Sequence, residues 1–197
     1  TLDQITLANV ADLQVAWTWQ VGILDQHEAP PLVVGDVMYI ASPKPNYVYA
    51  LDLNTDGVIM WEFRPDMNVE LATQQTCCGG QTRGIYYAEG KLFYATLDGQ
   101  VFGLDAATGE ALWRTVGTNI SYGEGSAGNG LVVNNLFIVG NQGGEYGARG
   151  KVNAYDINTG NLQWVMYSMG PDNEVGITPA YRAFYPDGSV LDVHSDV

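Results

Sequence analysis

The chain has 197 residues, with 22 Asp and Glu against 8 Lys and Arg and a formal net charge of −14. This length suffices for one domain with a real core. Such a charge repels nucleic acid and anionic membrane surfaces, and it suits cations, a basic protein partner or plain solubility. No run of roughly 18 apolar residues occurs, which excludes a membrane-spanning helix.

The start, Thr1-Leu2-Asp3-Gln4, has no basic region followed by an apolar stretch. A mature processed terminus, a cytosolic protein and a shortened chain all read this way. Residues 2–13 read as a short helix or loop with Asn9 or Asp12 as candidate caps. Residues 15–21, Val-Ala-Trp-Thr-Trp-Gln-Val, alternate apolar and polar and predict one lone strand.

A repeat then takes over. Asp105-Ala-Ala-Thr108-Gly109 leads to Trp113, and Asp156-Ile-Asn-Thr159-Gly160 leads to Trp164. Asp52-Leu-Asn-Thr55-Asp56-Gly57 leads to Trp61 with one residue more. Ahead of each Asp lies a short β-rich run, and ahead of that a pair of apolar runs about a turn: Gly35-Asp36, Glu89-Gly90 or Asn134-Asn135. Those turns carry the Gly, Asn and Asp that hairpins require. Each unit therefore predicts four strands in about fifty residues, the period of a propeller blade. The fold class is all-β, a partial β-propeller of about three four-stranded blades over residues 31–63, 84–115 and 131–167. Residues 170–197 hold no further copy and read as a loop-rich connection. Three blades cannot close a ring, so the rest of the propeller, or other chains, must complete it.

The only cysteines, Cys77 and Cys78, are adjacent and open the stretch Cys-Cys-Gly79-Gly80-Gln81-Thr82-Arg83. Neighbouring Cα atoms lie about 3.8 Å apart, whereas ordinary disulfides span roughly 4.4–6.8 Å. From these residues alone, a strained ring and two reduced thiols in a glycine loop both stand. Gly79 and Gly80 let backbone pass close to a ligand, and Arg83 offers a planar, always-charged fork. His27 and His194 have no second ligand at metal spacing and read as ordinary loop residues.

The Trp repeats, Cys77-Cys78-x-x-x-x-Arg83-Gly84 and Gly143-Gly144-Glu145-Tyr146-Gly147-Ala148-Arg149-Gly150 together resemble the pyrroloquinoline quinone (PQQ)-dependent alcohol dehydrogenases, the methanol and ethanol dehydrogenase type. The resemblance covers nearly the whole chain and corresponds to the N-terminal third of such an enzyme. It implies an eight-bladed propeller with PQQ on its axis and a calcium or lanthanide ion beside it. It further implies a small alcohol as substrate, a cytochrome c as electron acceptor and a periplasmic location. Residue by residue, Cys77 and Cys78 look like the disulfide platform under the quinone, and Arg83 like the catalytic residue beside its carbonyls. Glu145 looks like the metal-ligating carboxylate, Glu28 like the Glu that approaches the cofactor, and Gly143 and Gly144 like backbone passing its carboxylates. The pattern departs from the family at Ala127, where a Thr hydroxyl is usual and Ser126 would substitute, and at Gln142, where Ser is common. From spacing alone, a metal ligand and a loop carboxylate paired with Arg149 both stand for Glu145.

Two other readings compete. A non-catalytic propeller scaffold, like the outer-membrane assembly lipoproteins, would keep the Trp repeats but has no use for Cys77-Cys78, Arg83 or Glu145. A propeller oxidase of sugars is not built around paired cysteines.

Overall fold

The computed structural model describes residues 3–126 and 128–176, and the backbone of 183–184 and 190–191. Ala127 and His194 lie outside the described residues. Three four-stranded antiparallel sheets follow one another along the chain. The first is β1 (Leu32–Val34), β2 (Val37–Ala41), β3 (Val48–Asp52) and β4 (Val58–Phe63). The second is β5 (Tyr86–Ala88), β6 (Lys91–Ala95), β7 (Gln100–Asp105) and β8 (Ala111–Val116). The third is β9 (Leu131–Val133), β10 (Leu136–Gly140), β11 (Lys151–Asp156) and β12 (Leu162–Tyr167). Each is a plain meander whose neighbours in space are neighbours in sequence.

The hairpin turns fall where the residues asked for them. Val34 pairs with Val37, Ala88 with Lys91 and Val133 with Leu136, leaving two residues in each turn. Glu89 and Gly90 both take positive φ, +51° and +73°, as two-residue turns matched to strand twist require.

Each sheet carries one irregularity at the same place. Gly103 pairs with Trp113 but Leu104 pairs with Ala111, so Leu112 is bulged out. Met60 and Gln163 are displaced in the same way, just ahead of Trp61 and Trp164. A bulge bends its strand and re-aims the next side chain, and here it turns the tryptophan onto the following sheet. The Trp113 indole N–H donates to the Ile157 carbonyl at 2.9 Å, and Trp61 donates to Ala106 at 3.2 Å. The rings cover Gly160 and Gly109, where an added Cβ would run into the indole. Trp164 is 39 % exposed, with no further four-stranded sheet among the described residues to receive it.

The core lies between the sheets. Tyr39, Val48, Ala50, Leu92, Tyr94, Phe102 and Leu104 join the first to the second. Phe93, Val101, Trp113, Phe137, Val139 and Tyr155 join the second to the third. Both clusters draw on alternate residues of the inner strands, the outcome of period-2 patterning.

Residues 15–21 form no ladder, contrary to the lone strand predicted there. The alternation itself is present: Trp17, Trp19 and Val21 are half-buried between exposed neighbours. Trp19 packs edge-on against Tyr49, with centroids 5.1 Å apart, and Trp17 covers Gly57, where a Cβ would lie 2.8 Å from its Cζ3. Trp17 thus docks on the first sheet's turn as Trp61 and Trp113 dock on theirs. A strand needs a hydrogen-bonding neighbour, and none of the described residues supplies one.

In the head, Val10–Asp12 is a single 3-10 turn. Asn9 does not cap it; its side chain accepts from Thr6 N–H and donates to the Gln4 carbonyl instead. Two short helices lie outside the sheets, α1 (Val69–Gln75) and α2 (Asp172–Val175), followed by the two-stranded ladder of β13 (Ala183–Phe184) with β14 (Val190–Leu191). No helix among the described residues is long and apolar enough to cross a membrane.

Candidate cofactor site

A four-stranded meander has two ends. In each sheet the turns between strands one and two and between three and four share one end, where the Asp-x-x-Thr-Gly turns sit. The segment leading into the first strand and the loop between strands two and three share the other. Glu28 precedes β1, Cys77, Cys78 and Arg83 precede β5, Ser126 precedes β9, and Gly143, Gly144 and Glu145 lie between β10 and β11. All eight candidate residues therefore stand at one end of the stacked sheets.

Cys77 and Cys78 are joined in a vicinal disulfide with Cα atoms 3.8 Å apart. Cys78 has φ +71°, a left-handed conformation that costs a non-glycine residue about 1–2 kcal/mol and persists only where its surroundings enforce it. On one side the disulfide continues α1, whose Thr76 returns both N–H and hydroxyl to the Ala72 carbonyl. On the other, Gly80 is gripped at both backbone groups: its N–H donates to Asp25 and its carbonyl accepts from Lys44 N–H at 2.6 Å. Asp25 also faces the Lys44 ammonium at 3.7 Å. The Gln26 N–H, the Gly80 N–H and Lys44 hold the Asp25 carboxyl below its ordinary range against the upward push of burial. A side chain on Gly80 would strike Asp25 and Lys44.

Arg83 and Glu28 are brought together, Nη2 to Oε2 at 3.5 Å, each side chain about half exposed at 53 % and 41 %. A pair this open contributes little to stability, so both groups are available to a ligand. Gly84, at φ +129°, lets this segment pass Asn129 and Pro30.

Gly143, Gly144 and Glu145 share one tight turn. Gly143 is required by the fold, because the Gly123 carbonyl occupies the place of its Cβ. Gly144 faces open space. Glu145 is exposed, and among the described residues it has no hydrogen bond or ion pair. The alternative pairing with Arg149 does not form. Arg149 lies over the Tyr167 ring at 3.7 Å and pairs with Glu174 at 2.5 Å.

Ser126 is buried and its hydroxyl donates to the Gly140 carbonyl at 3.1 Å. The hydroxyl expected to replace the one missing at Ala127 is thus committed to backbone. Next to it, Gly125 bridges to Gln142, whose buried side-chain N–H group has no partner among the described residues. The Gln81 side-chain oxygen, two residues past Gly79, is also buried and unpartnered.

Sequence reasoning missed α1 and a cavity of about 600 Å³ lined by Gln75, Tyr122, Glu124, Tyr146, Arg149 and Tyr167. Gln75 ends the helix that leads to the disulfide, and Tyr146 follows Glu145, so this cavity joins the two loops. Asn68, placed before Val69-Glu70-Leu71, was the available signal for the helix: its side chain caps Leu71 N–H at 3.0 Å.

The donor set fits an anionic, planar quinone. It offers one guanidinium, a carboxamide N–H without a partner among the described residues, glycine backbone and a vicinal disulfide. For a cation, Glu145 offers one carboxylate. Among the described residues no group of three or more His, Cys, Asp or Glu could hold a metal, so most oxygen ligands must come from the cofactor and from elsewhere.

Fold and site together define a tryptophan-docked β-propeller segment with its candidate site residues gathered at one end. The chain belongs to the PQQ glucose/ethanol/alcohol dehydrogenase β-propeller domain family, whose model matches residues 1–184. It is 46 % identical over 186 residues to the lanthanide-dependent methanol dehydrogenase of Methylacidiphilum fumariolicum strain SolV, covering 94 % of this chain and 30 % of that protein. It is 37 % identical over 191 residues to methanol dehydrogenase [cytochrome c] subunit 1 of Paracoccus denitrificans, covering 94 % and 30 %. Among solved structures, a europium-containing methanol dehydrogenase superposes with a TM-score of 0.85 at 48 % identity, over 88 % of this chain and 30 % of that one. The chain spans about 30 % of the length of these relatives.

Proposed function

We propose that this chain is the N-terminal part of a periplasmic quinoprotein that oxidises a small primary alcohol to an aldehyde and passes the electrons to a cytochrome c. When bound, PQQ supplies the two-electron oxidant and a calcium or lanthanide ion the Lewis acid beside it. The Cys77–Cys78 disulfide provides the flat floor of the site. Arg83 places a permanent positive charge where negative charge develops on the quinone oxygens, an electrostatic preorganisation. Glu145 contributes a hard oxygen ligand to the cation. Glu28 orients Arg83 and borders the cofactor, while the backbone at Gly143 and Gly144 lets its carboxylates approach. Ser126 acts through the Gly140 carbonyl, shaping the loop rather than touching the cofactor. The catalytic base and the residue covering the other quinone face come from the remainder of the propeller.

One observation carries this reading: the disulfide, the Arg83–Glu28 pair and Glu145, which has no partner among the described residues, share one end of the sheets. A scaffold propeller would have no use for any of them. The test uses the full-length protein loaded with PQQ and calcium or a lanthanide. Replacing Cys77 and Cys78 with Ser is expected to weaken PQQ binding, read by fluorescence quenching, and to lower alcohol-dependent dye reduction at least about tenfold. Full retention of both would remove the disulfide from the site.

A further inference from the structure

The carboxylate of Asp98 sits in the turn between β6 and β7, remote in sequence from the disulfide and 8 % exposed. Both of its oxygens accept hydrogen bonds, three in all. Oδ1 accepts from the Thr96 hydroxyl at 2.5 Å, and Oδ2 from Gln100 Nε2 at 2.8 Å and from the backbone N–H of Asn68 at 2.9 Å. Asn68 is the residue that caps α1. Gln100 is itself held from outside, since its amide also reaches the Asp66 carbonyl and its oxygen accepts from Arg114. Next to Asp98, Leu97 packs on Ala72, the buried residue of the helix. The loop of blade two therefore grips α1 at its first residue and along its buried side.

From its cap at Asn68 the helix runs about 10 Å, at 1.5 Å per residue, to Gln75, and the extended Thr76 leads on to Cys77. Beyond the disulfide the second grip is Asp25 on the Gly80 N–H, with Lys44 on the Gly80 carbonyl. Cys77 and Cys78 themselves make no hydrogen bond to a side chain among the described residues, so their position is set from the two flanks.

We propose that Asp98 and Asp25 are positioning residues that clamp the disulfide loop from both sides, Asp98 acting through α1 and Asp25 through Gly80. Neither touches the cofactor. The clamp exists whether or not a quinone binds; its consequence for PQQ rests on the function proposed above.

The test is hydrogen–deuterium exchange on the cofactor-free full-length protein, read on peptides covering residues 66–82. Asp98→Ala and Asp25→Ala should each speed exchange across residues 76–80 about tenfold, equivalent to 1.4 kcal/mol at 25 °C. Asp98→Asn keeps a carbonyl toward Asn68, and the Thr96 hydroxyl can turn to accept from the new amide, so it should exchange like the parent. Peptides from β10 to β12 should be unchanged in all three. Acceleration confined to residues 66–69, or spread evenly over all three sheets, would overturn the clamp. Should Asp98→Ala not fold, the Asp25→Ala result decides, since that side chain is only partly buried. PQQ affinity is measured in parallel: a clamp seen by exchange with no loss of affinity overturns the quinone-floor reading and leaves the clamp standing.

Discussion

Gly160→Ala is the sharpest test of how successive sheets are held together. Gly160 has φ +70°, and a Cβ there would lie 2.5 Å from Trp113 Cε3 and 2.7 Å from Cδ2. The left-handed backbone costs alanine about 1–2 kcal/mol, and overpacking adds about 1–3 kcal/mol. The sum is about 2–5 kcal/mol, a large share of the 5–15 kcal/mol typical of a domain. The two components separate in a double-mutant cycle. Trp113→Leu removes the indole atoms that the methyl meets, so in that background Gly160→Ala should cost only its backbone share, about 1–2 kcal/mol. A minor contact persists, because Thr115 Oγ1 lies 3.0 Å from the same Cβ position. Urea titration of the full-length protein and its variants gives the four midpoints and slopes. Equal costs of Gly160→Ala in both backgrounds would mean that the tryptophan does not rest on this glycine, and the docking account of the fold would fail.

Three further outcomes follow from the same geometry. Glu124 pairs with Lys151 at 2.8 Å, both side chains mostly buried, and ties the segment before β9 to β11. Burial pushes its carboxyl up, but the Lys151 ammonium and the Asn119 N–H outweigh burial and hold it below the ordinary glutamate range. A depressed folded-state pKa contributes stability above the unfolded value, near 4.3, that is lost as pH falls through the folded one. Glu124→Gln should thus lower the unfolding midpoint at pH 7 and make no difference at pH 2–3; an equal loss at both would show that the charge is irrelevant. Asp105→Ala should destabilise by about 1 kcal/mol, like loss of a helix cap, since its Oδ1 accepts from the Ala107 N–H, the Thr108 N–H and the Thr108 hydroxyl. Chemical denaturation measures it, and no change would remove the turn's stated role. Arg83→Lys keeps the charge but loses the planar fork, and should lower kcat at least about tenfold in the loaded enzyme with little change in unfolding midpoint, since a half-exposed pair contributes little to stability.

The repeat was legible because its signals are local. A two-residue turn such as Glu89-Gly90, and an apolar-polar alternation on either side, identify a hairpin without reference to anything distant. Helix α1 was not legible for the converse reason. Val69–Gln75 presents no apolar stripe, only Ala72 is buried, and its hold comes from Asn68 bonded to Asp98 thirty residues on. Pairings between charges were equally hidden. Arg149 stands four residues from Glu145 in sequence, yet it goes to Glu174 and Tyr167, because the return of β12 brings those groups over it. Residues 15–21 show a third kind of limit. The alternation correctly gave the half-buried face, but a strand is a property of two segments, and sequence periodicity reports on one.

The two ends of the sheets obey different constraints. At the end bearing the tryptophan seats, Asp105 and Asp156 each accept from two backbone N–H groups and a Thr hydroxyl, and a glycine follows under the indole. Those bonds shape the turn on which the preceding sheet's tryptophan rests, and the motif recurs with the docking. Even the extra residue of the first copy is absorbed with the motif intact: Asp56 takes φ +55°, and Gly57 still lies under Trp17. The loops at the other end owe nothing to that docking. They run 42–47, 96–99 and 141–150 in the three sheets, each of a different length and sequence. These loops hold the open Gly144 and, without partners among the described residues, Glu145 and the Gln142 side chain; the segment leading into β5 adds Gln81 and the left-handed Cys78. Left-handed residues at the tryptophan end, Asp56, Glu89 and Asn134, sit in turns that the hairpins require, whereas Cys78 is not in such a turn. A repeat fold can therefore hold its sheets together by sameness at one end and leave the other free to assemble a site from residues that no two repeats share.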